Sequence, residues 1–126
     1  MTDHTSLIDR YIAAWNETDA KRRRELIART YTEGASYADP VATGAGHGGI
    51  DAMIAGVQQR FPGHKFRRTS DVEAHNGRVR FRWELAPAAG SPIVAGTDFG
   101  VLAEKGERIE AIIGFFDHVA ADASAH

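Results

Sequence analysis

Apolar positions in the first third of the chain recur at helical spacing. Leu7, Ile8, Tyr11, Ile12 and Trp15 fall on one stripe, the signature of an amphipathic helix. Asp3, Thr5 or Ser6 is placed to cap it. Asn16-Glu17-Thr18 breaks the pattern, and Asp19 then reads as the cap of a second helix whose buried side is Leu26, Ile27 and Tyr31. Glu33-Gly34 predicts a turn, followed by a short extended piece from Ser36 to Asp39. Pro40 disfavours the α region for the residue before it, so Asp39 ends that piece. Val41 to Gly49 reads as a glycine-rich loop, and Ile50, Met53, Ile54, Val57 and Phe61 as the buried face of a third helix stopped by Pro62-Gly63.

The pattern then changes period. Phe66 to Glu73 reads as one strand, and Asn76-Gly77 as a tight hairpin turn. Beyond it Val79, Phe81, Trp83 and Leu85 alternate with Arg78, Arg80, Arg82 and Glu84, as in an antiparallel strand with one face buried. Ile93–Leu102 and Arg108–His118 form a further hairpin around Glu104–Glu107. Helices followed by antiparallel strands define an α+β domain. The expected architecture is a cone: a curved antiparallel sheet with about three helices from the N-terminal half on its concave face, enclosing a site for an apolar small molecule. The domain spans residues 1–119, and 120–126 reads as a frayed tail.

At 126 residues the chain suits one domain with a real core. The net charge of −2 argues against a nucleic-acid partner. There is no cysteine, hence no disulfide or thiolate chemistry. The histidines lack ligand-like spacing, and neither a P-loop nor a dinucleotide fingerprint is present. No cofactor and no metal is therefore expected. No signal peptide or membrane-length apolar run is visible, so a cytoplasmic protein without membrane contact is expected. Lys21–Arg24 opens the second helix against its dipole and reads as a solvated face.

The strongest candidate for chemistry is Asp39 in Tyr37-Ala38-Asp39-Pro40-Val41. Desolvation at a strand end would raise its pKa and make it a proton acceptor, although Asp-Pro also initiates ordinary loops. Tyr11, on the first helix's apolar stripe, can donate into a cavity or serve as a core aromatic. Asp98 shares a strand face with Val94, Gly96, Gly100 and Leu102. A buried carboxyl there must be paired or protonated. Parity leaves its direction open, because the opposite set (Ile93, Ala95, Thr97, Phe99, Val101) is the more apolar. His47 and His118 are candidate bases or second-layer groups, and Asp117 a partner for arginine. Trp15, Tyr37, Phe61, Phe81, Trp83 and Phe115 are candidate ligand-binding walls, with His47 beside them.

These residues resemble a known family. Arg10-Tyr11-Ile12, Trp15-Asn16, Asp19, Tyr31, Tyr37-Ala38-Asp39-Pro40-Val41 and Gly46-His47-Gly48-Gly49-Ile50 are similar to the bacterial ketosteroid isomerases and to the SnoaL-like polyketide cyclases. The resemblance implies the cone of the nuclear transport factor 2-like (cystatin-like) fold. It further implies Asp39 as the general base next to a carbonyl, with Tyr11 and a neutral Asp98 as the oxyanion hole, a logic known from tuned carboxyl pKa values in ketosteroid isomerase. It also implies a homodimer through the outer sheet. The same fold hosts dehydratases, epoxide hydrolases and non-catalytic binding domains, and these alternatives remain open at this level.

Overall fold

A computed structural model describes residues 4–121. Its elements are α1 (Thr5–Asn16), α2 (Ala20–Thr30), β1 (Tyr31–Ala38), β2 (Thr43–Ala45), α3 (Gly46–Arg60), β3 (His64–Arg68), β4 (Glu73–His75), β5 (Arg78–Pro87), β6 (Val94–Leu102) and β7 (Ile109–Val119). The strands form one sheet in the order β2-β1-β7-β6-β5-β3, with β4 also on β5. The sheet is mixed, not wholly antiparallel as expected: β1 runs parallel to β7.

The sheet curls into a half-barrel. Flat, four strand spacings of about 4.8 Å would separate β1 from β3. Yet the Trp15 indole meets Tyr37 of β1 and Phe66 of β3, with ring centroids 5.4 and 5.1 Å away. Only a curled sheet brings both to one ring of α1. The inner face carries Val79, Phe81, Trp83 and Leu85 of β5 and Val94, Asp98 and Leu102 of β6, all buried. Leu7, Ile8, Tyr11 and Trp15 of α1, with Ile50 and Ile54 of α3, close over it.

Several local expectations shift. Asp19 does cap α2, accepting from the Arg22 amide at 2.9 Å. For α1 the position before the helix is His4, which makes no side-chain cap bond; Thr5 and Ser6 lie within the helix, and Asp3 falls outside the described residues. Glu33-Gly34 is not a turn but part of β1, where the register with β7 slips between Tyr31 and Ser36. The presumed glycine loop is β2 followed by the first turn of α3. Gly44 permits the close approach: a Cβ there would lie 3.0 Å from the Gly49 carbonyl oxygen. Phe66–Glu73 is two strands, β3 and β4, on the same partner β5. Asn76 and Gly77 both have positive φ, 48° and 74°, as a two-residue hairpin turn requires. Of the tail assigned to 120–126, the Ala120 amide donates to the Ile93 carbonyl at 2.8 Å, and residues 122–126 lie outside the described residues.

One basic residue of Lys21–Arg24 is not solvated. Arg23 is only 5% exposed. Its Nε donates to Asp51 Oδ1 at 2.6 Å, and its Nη1 to Gln58 Oε1 and the Glu17 carbonyl at 3.1 and 3.2 Å. Gln58 Nε2 in turn donates to the Trp15 and Glu17 carbonyls. This network ties the end of α1 and the start of α2 to α3. It fixes the helix layer over the sheet.

Candidate active site

Between the curled sheet and helices α1 and α3 lies a cavity of about 330 Å³. Ile12, Val57, Phe61, Phe66, Leu85, Val94 and Phe116 make its walls apolar. Burial orders the remaining lining residues by depth. Tyr11, Trp83 and Asp98 are almost inaccessible and form the floor, whereas Val41, Arg60 and Val119 are exposed and form the rim. Asp39, half-buried, lies between.

Asp98 faces inward, which resolves the parity left open by the sequence. It is 2% exposed and is held by two donors: the Tyr11 hydroxyl at 2.7 Å on Oδ2 and the Trp83 Nε1–H at 2.8 Å on Oδ1. Its strand neighbours are small because the space is already filled. A Cβ at Gly96 would clash with the Trp83 indole and the Phe115 carbonyl oxygen, and one at Gly100 would lie 2.8 Å from Val79 Cγ2. Burial pushes the Asp98 carboxyl up from its ordinary 3.8 to about 6. The two hydrogen bonds act against that rise, and the nearby Asp39 charge adds to it. The same burial, with Asp98 beside it, pushes the Tyr11 phenol well above its ordinary value.

Asp39 is anchored differently. Its Oδ1 accepts from the Val41 and Ala42 amides at 2.9 and 2.8 Å, and its Oδ2 from the Tyr37 hydroxyl at 2.6 Å. Three of the roughly four acceptor positions of a carboxylate are thus occupied. The two acids approach each other over Gly114 of β7. A Cβ at this glycine would lie 2.8 Å from Asp98 Oδ1, 3.2 Å from Asp39 Cβ and 3.5 Å from the Tyr37 hydroxyl.

Seven of the sequence candidates, Tyr11, Trp15, Tyr37, Asp39, Phe61, Trp83 and Asp98, line this cavity together. Three others do not. His47 lies in the first turn of α3, where Nε2 meets the Tyr31 carbonyl oxygen at 3.0 Å. Phe81 points inward but is spent on packing, edge-on to Tyr11 with centroids 5.6 Å apart. Phe115 is 53% exposed on the outer face beside Phe99; its neighbour Phe116 takes the inward place. His118 and Asp117 are also exposed, and Asp117 accepts from the Thr97 hydroxyl, not from an arginine. Missed by sequence reasoning were Arg60 at the rim and Gly114 at the centre. Among the described residues, no group of three or more His, Asp or Glu is placed to hold a metal, and no helix is long and apolar enough to cross a membrane.

The elevated Asp98 pKa is a stability prediction. A carboxyl that binds its proton more tightly when folded contributes most at low pH. The contribution is complete below about pH 4 and is lost as pH rises through about 6, roughly 3 kcal/mol in all. In urea unfolding at a series of pH values, the stability of the natural chain minus that of Asp98→Asn is expected to fall by about this amount across the window. A flat difference would mean that Asp98 titrates normally.

Helices packed into a curled mixed sheet, around an apolar cavity floored by a carboxyl, define an α+β domain of the nuclear transport factor 2-like class. The chain belongs to the SnoaL-like family, whose domain profile matches residues 8–112. A SnoaL-like family protein from Agrobacterium tumefaciens str. C58, provisionally assigned as an isomerase, is 39% identical; the match covers 94% of this chain and 100% of that one at a TM-score of 0.87. A provisionally assigned polyketide cyclase from Sinorhizobium meliloti is 16% identical over 86% of this chain and 93% of its own, at a TM-score of 0.67. A provisionally assigned ketosteroid isomerase from Kribbella flavida DSM 17836 is 17% identical over 90% and 77%, at 0.66. The latter two share the fold alone. No curated protein gives a significant match.

Proposed function

We propose that the chain binds an apolar carbonyl compound in the cavity and moves a proton at the carbon beside the carbonyl, using only its own acids and phenols. The observation that carries this is the Asp98 carboxyl on an apolar floor, clamped by Tyr11 and Trp83. A base works best when its pKa lies near the working pH, and burial has moved Asp98 toward neutrality. The resemblance implies Asp39 as base. The geometry favours Asp98, because Asp39 accepts from three donors against two on Asp98 and is more open to water.

In this reading Asp98 takes the α-proton, the C–H bond breaks, and its electrons pass to the carbonyl oxygen. Protonated Asp98 becomes a donor, which frees the Tyr11 hydroxyl to meet the enolate oxygen. One such donor is worth roughly 3–4 kcal/mol in the transition state. Return of the proton to a different carbon gives an isomerase, and attack by the carbanion gives a cyclase. The provisional isomerase assignment of the Agrobacterium relative supports the same class.

The test is deuterium uptake from D2O into a panel of cyclic enolisable ketones, followed by NMR. Catalysed exchange is expected, with a rate that rises through about pH 6 as Asp98 ionises. Uncatalysed rates across the panel, with binding retained, would leave a binding domain instead.

The outer face supports a homodimer as partner. Phe99, Ile113 and Phe115 are 39%, 40% and 53% exposed there. They are flanked by the exposed Arg78, Arg80 and Arg82 of β5. Phe99 pairs across the sheet with Arg80 on one side and Ile113 on the other, so apolar centre and basic flank are contiguous. Sedimentation equilibrium is expected to give a dimer that Phe115→Glu dissociates; a monomer at all concentrations would reject it.

A further inference from the structure

The rim of the cavity carries a charge that proton transfer at the floor does not use. Arg60, in the last turn of α3, is the one basic residue among the described lining residues, and it is exposed. Its guanidinium lies over the Phe61 ring, 5.7 Å from the centroid, a contact that holds a cation over an aromatic face. Phe61 itself is a wall of the cavity. The arginine head is therefore tethered to the wall at the entrance, at the opposite end in depth from buried Asp98. Between the two, the wall is apolar except at Asp39 and the Tyr37 hydroxyl bonded to it.

We infer that the natural ligand is an amphipathic carboxylic acid, with its apolar body against the floor and its carboxylate at Arg60. This rests on the cavity as the ligand site and adds the ligand's chemical class. A planar guanidinium takes a carboxylate in a two-pronged geometry that a neutral or cationic head cannot use. A dianionic head such as a phosphate monoester would lose far more hydration beside this apolar wall than one arginine offsets, and the Asp39 carboxylate in the same lining weakens the attraction further. A carboxylate carries only one charge. The pairing also orients the ligand. With its head held at the rim, the atoms that reach Asp98 are those several bonds away from the acid group.

Both tryptophans of the chain, Trp15 and Trp83, line the cavity, so intrinsic fluorescence reports occupancy. The probes are 4-cyclohexylbutyrate, 4-cyclohexylbutanol and 4-cyclohexylbutylamine, titrated at about pH 8, where the acid is ionised and the amine charged. The acid is expected to bind roughly fivefold more tightly than the alcohol, and the amine most weakly, an increment in keeping with an ion pair at a wet rim. Arg60→Gln is expected to erase the preference for the acid over the alcohol, read as the ratio of the two affinities, and Arg60→Lys to keep part of it. The preference should shrink as salt is raised. Equal binding of acid and alcohol, failure of the acid to bind, or a preference that survives Arg60→Gln would each overturn the inference. Asp98→Asn is expected to keep the head-group preference while losing proton exchange, so failure here and failure of the proton-transfer reading show up in different measurements.

Discussion

Asp98→Asn is expected to slow deuterium exchange into a bound ketone by roughly two to four orders of magnitude, the usual worth of a positioned base. The variant should stay folded. An amide oxygen can still accept from Trp83 or Tyr11, and the cost of burying a charge disappears. Asp39→Asn should cost less than about tenfold, since its loop bonds to Val41 and Ala42 need only an oxygen. It should also move the acid limb of the rate profile to lower pH, because the Asp39 charge helps hold Asp98 protonated. A larger loss in Asp39→Asn than in Asp98→Asn would return the base role to Asp39. Gly114→Ala supplies an independent check. The added methyl would press on Asp98 Oδ1, so exchange should fall although both acids remain.

The largest effect on stability is expected at Asp51, far from the chemistry. Removing it by Asp51→Ala strands the Arg23 guanidinium, which is almost wholly buried between helices. Breaking one side of a buried ion pair costs about 3–5 kcal/mol, much of it the uncompensated charge. Arg23→Met, which removes the charge but keeps the stem's volume, should cost less, as apolar replacements of buried ion pairs do. Urea unfolding of the two variants reads the difference directly. A loss under about 1 kcal/mol for Asp51→Ala would show that water reaches the pair.

Much of the frame was legible in the sequence because the signals are local. The stripe Leu7–Trp15, the Asp19 cap, the Asn76-Gly77 turn and the alternation from Val79 to Leu85 all correspond to observed elements. The site was legible in composition more than in direction. Tyr11, Asp39 and Asp98 were all singled out, yet the face of Asp98 was not readable. The inner face of β6 looks too poor in apolar atoms, because Trp83 and Val79 of the neighbouring strand occupy the space over Gly96 and Gly100. Meanwhile the outer face is itself apolar at Phe99, so alternation ran the wrong way. Phe115 and Phe116 were confused because adjacent aromatics in a strand point oppositely, and the register slips between Ala95 and Gly96 on the facing strand. Arg23 deceived for another reason: its partner Asp51 lies 28 positions away, beyond any local rule. The parallel union of β1 with β7 is likewise invisible to local reading.

That union has a consequence for how the chain comes together during synthesis. Among the described strands β7 is made last, yet it lies inside the sheet, between β1 and β6. Until it emerges from the ribosome, the β1–β2 ribbon and the β6–β5–β3 sheet share no edge, and Gly114, over which the two acids meet, is missing. The nascent chain therefore presents two unpaired strand edges until β7 is made, and distant pairings of this kind form slowly. Truncation ahead of Ile109 is not a trimming of the terminus but removal of the keystone. Such a fragment would expose strand edges prone to self-association and would hold no chamber at all.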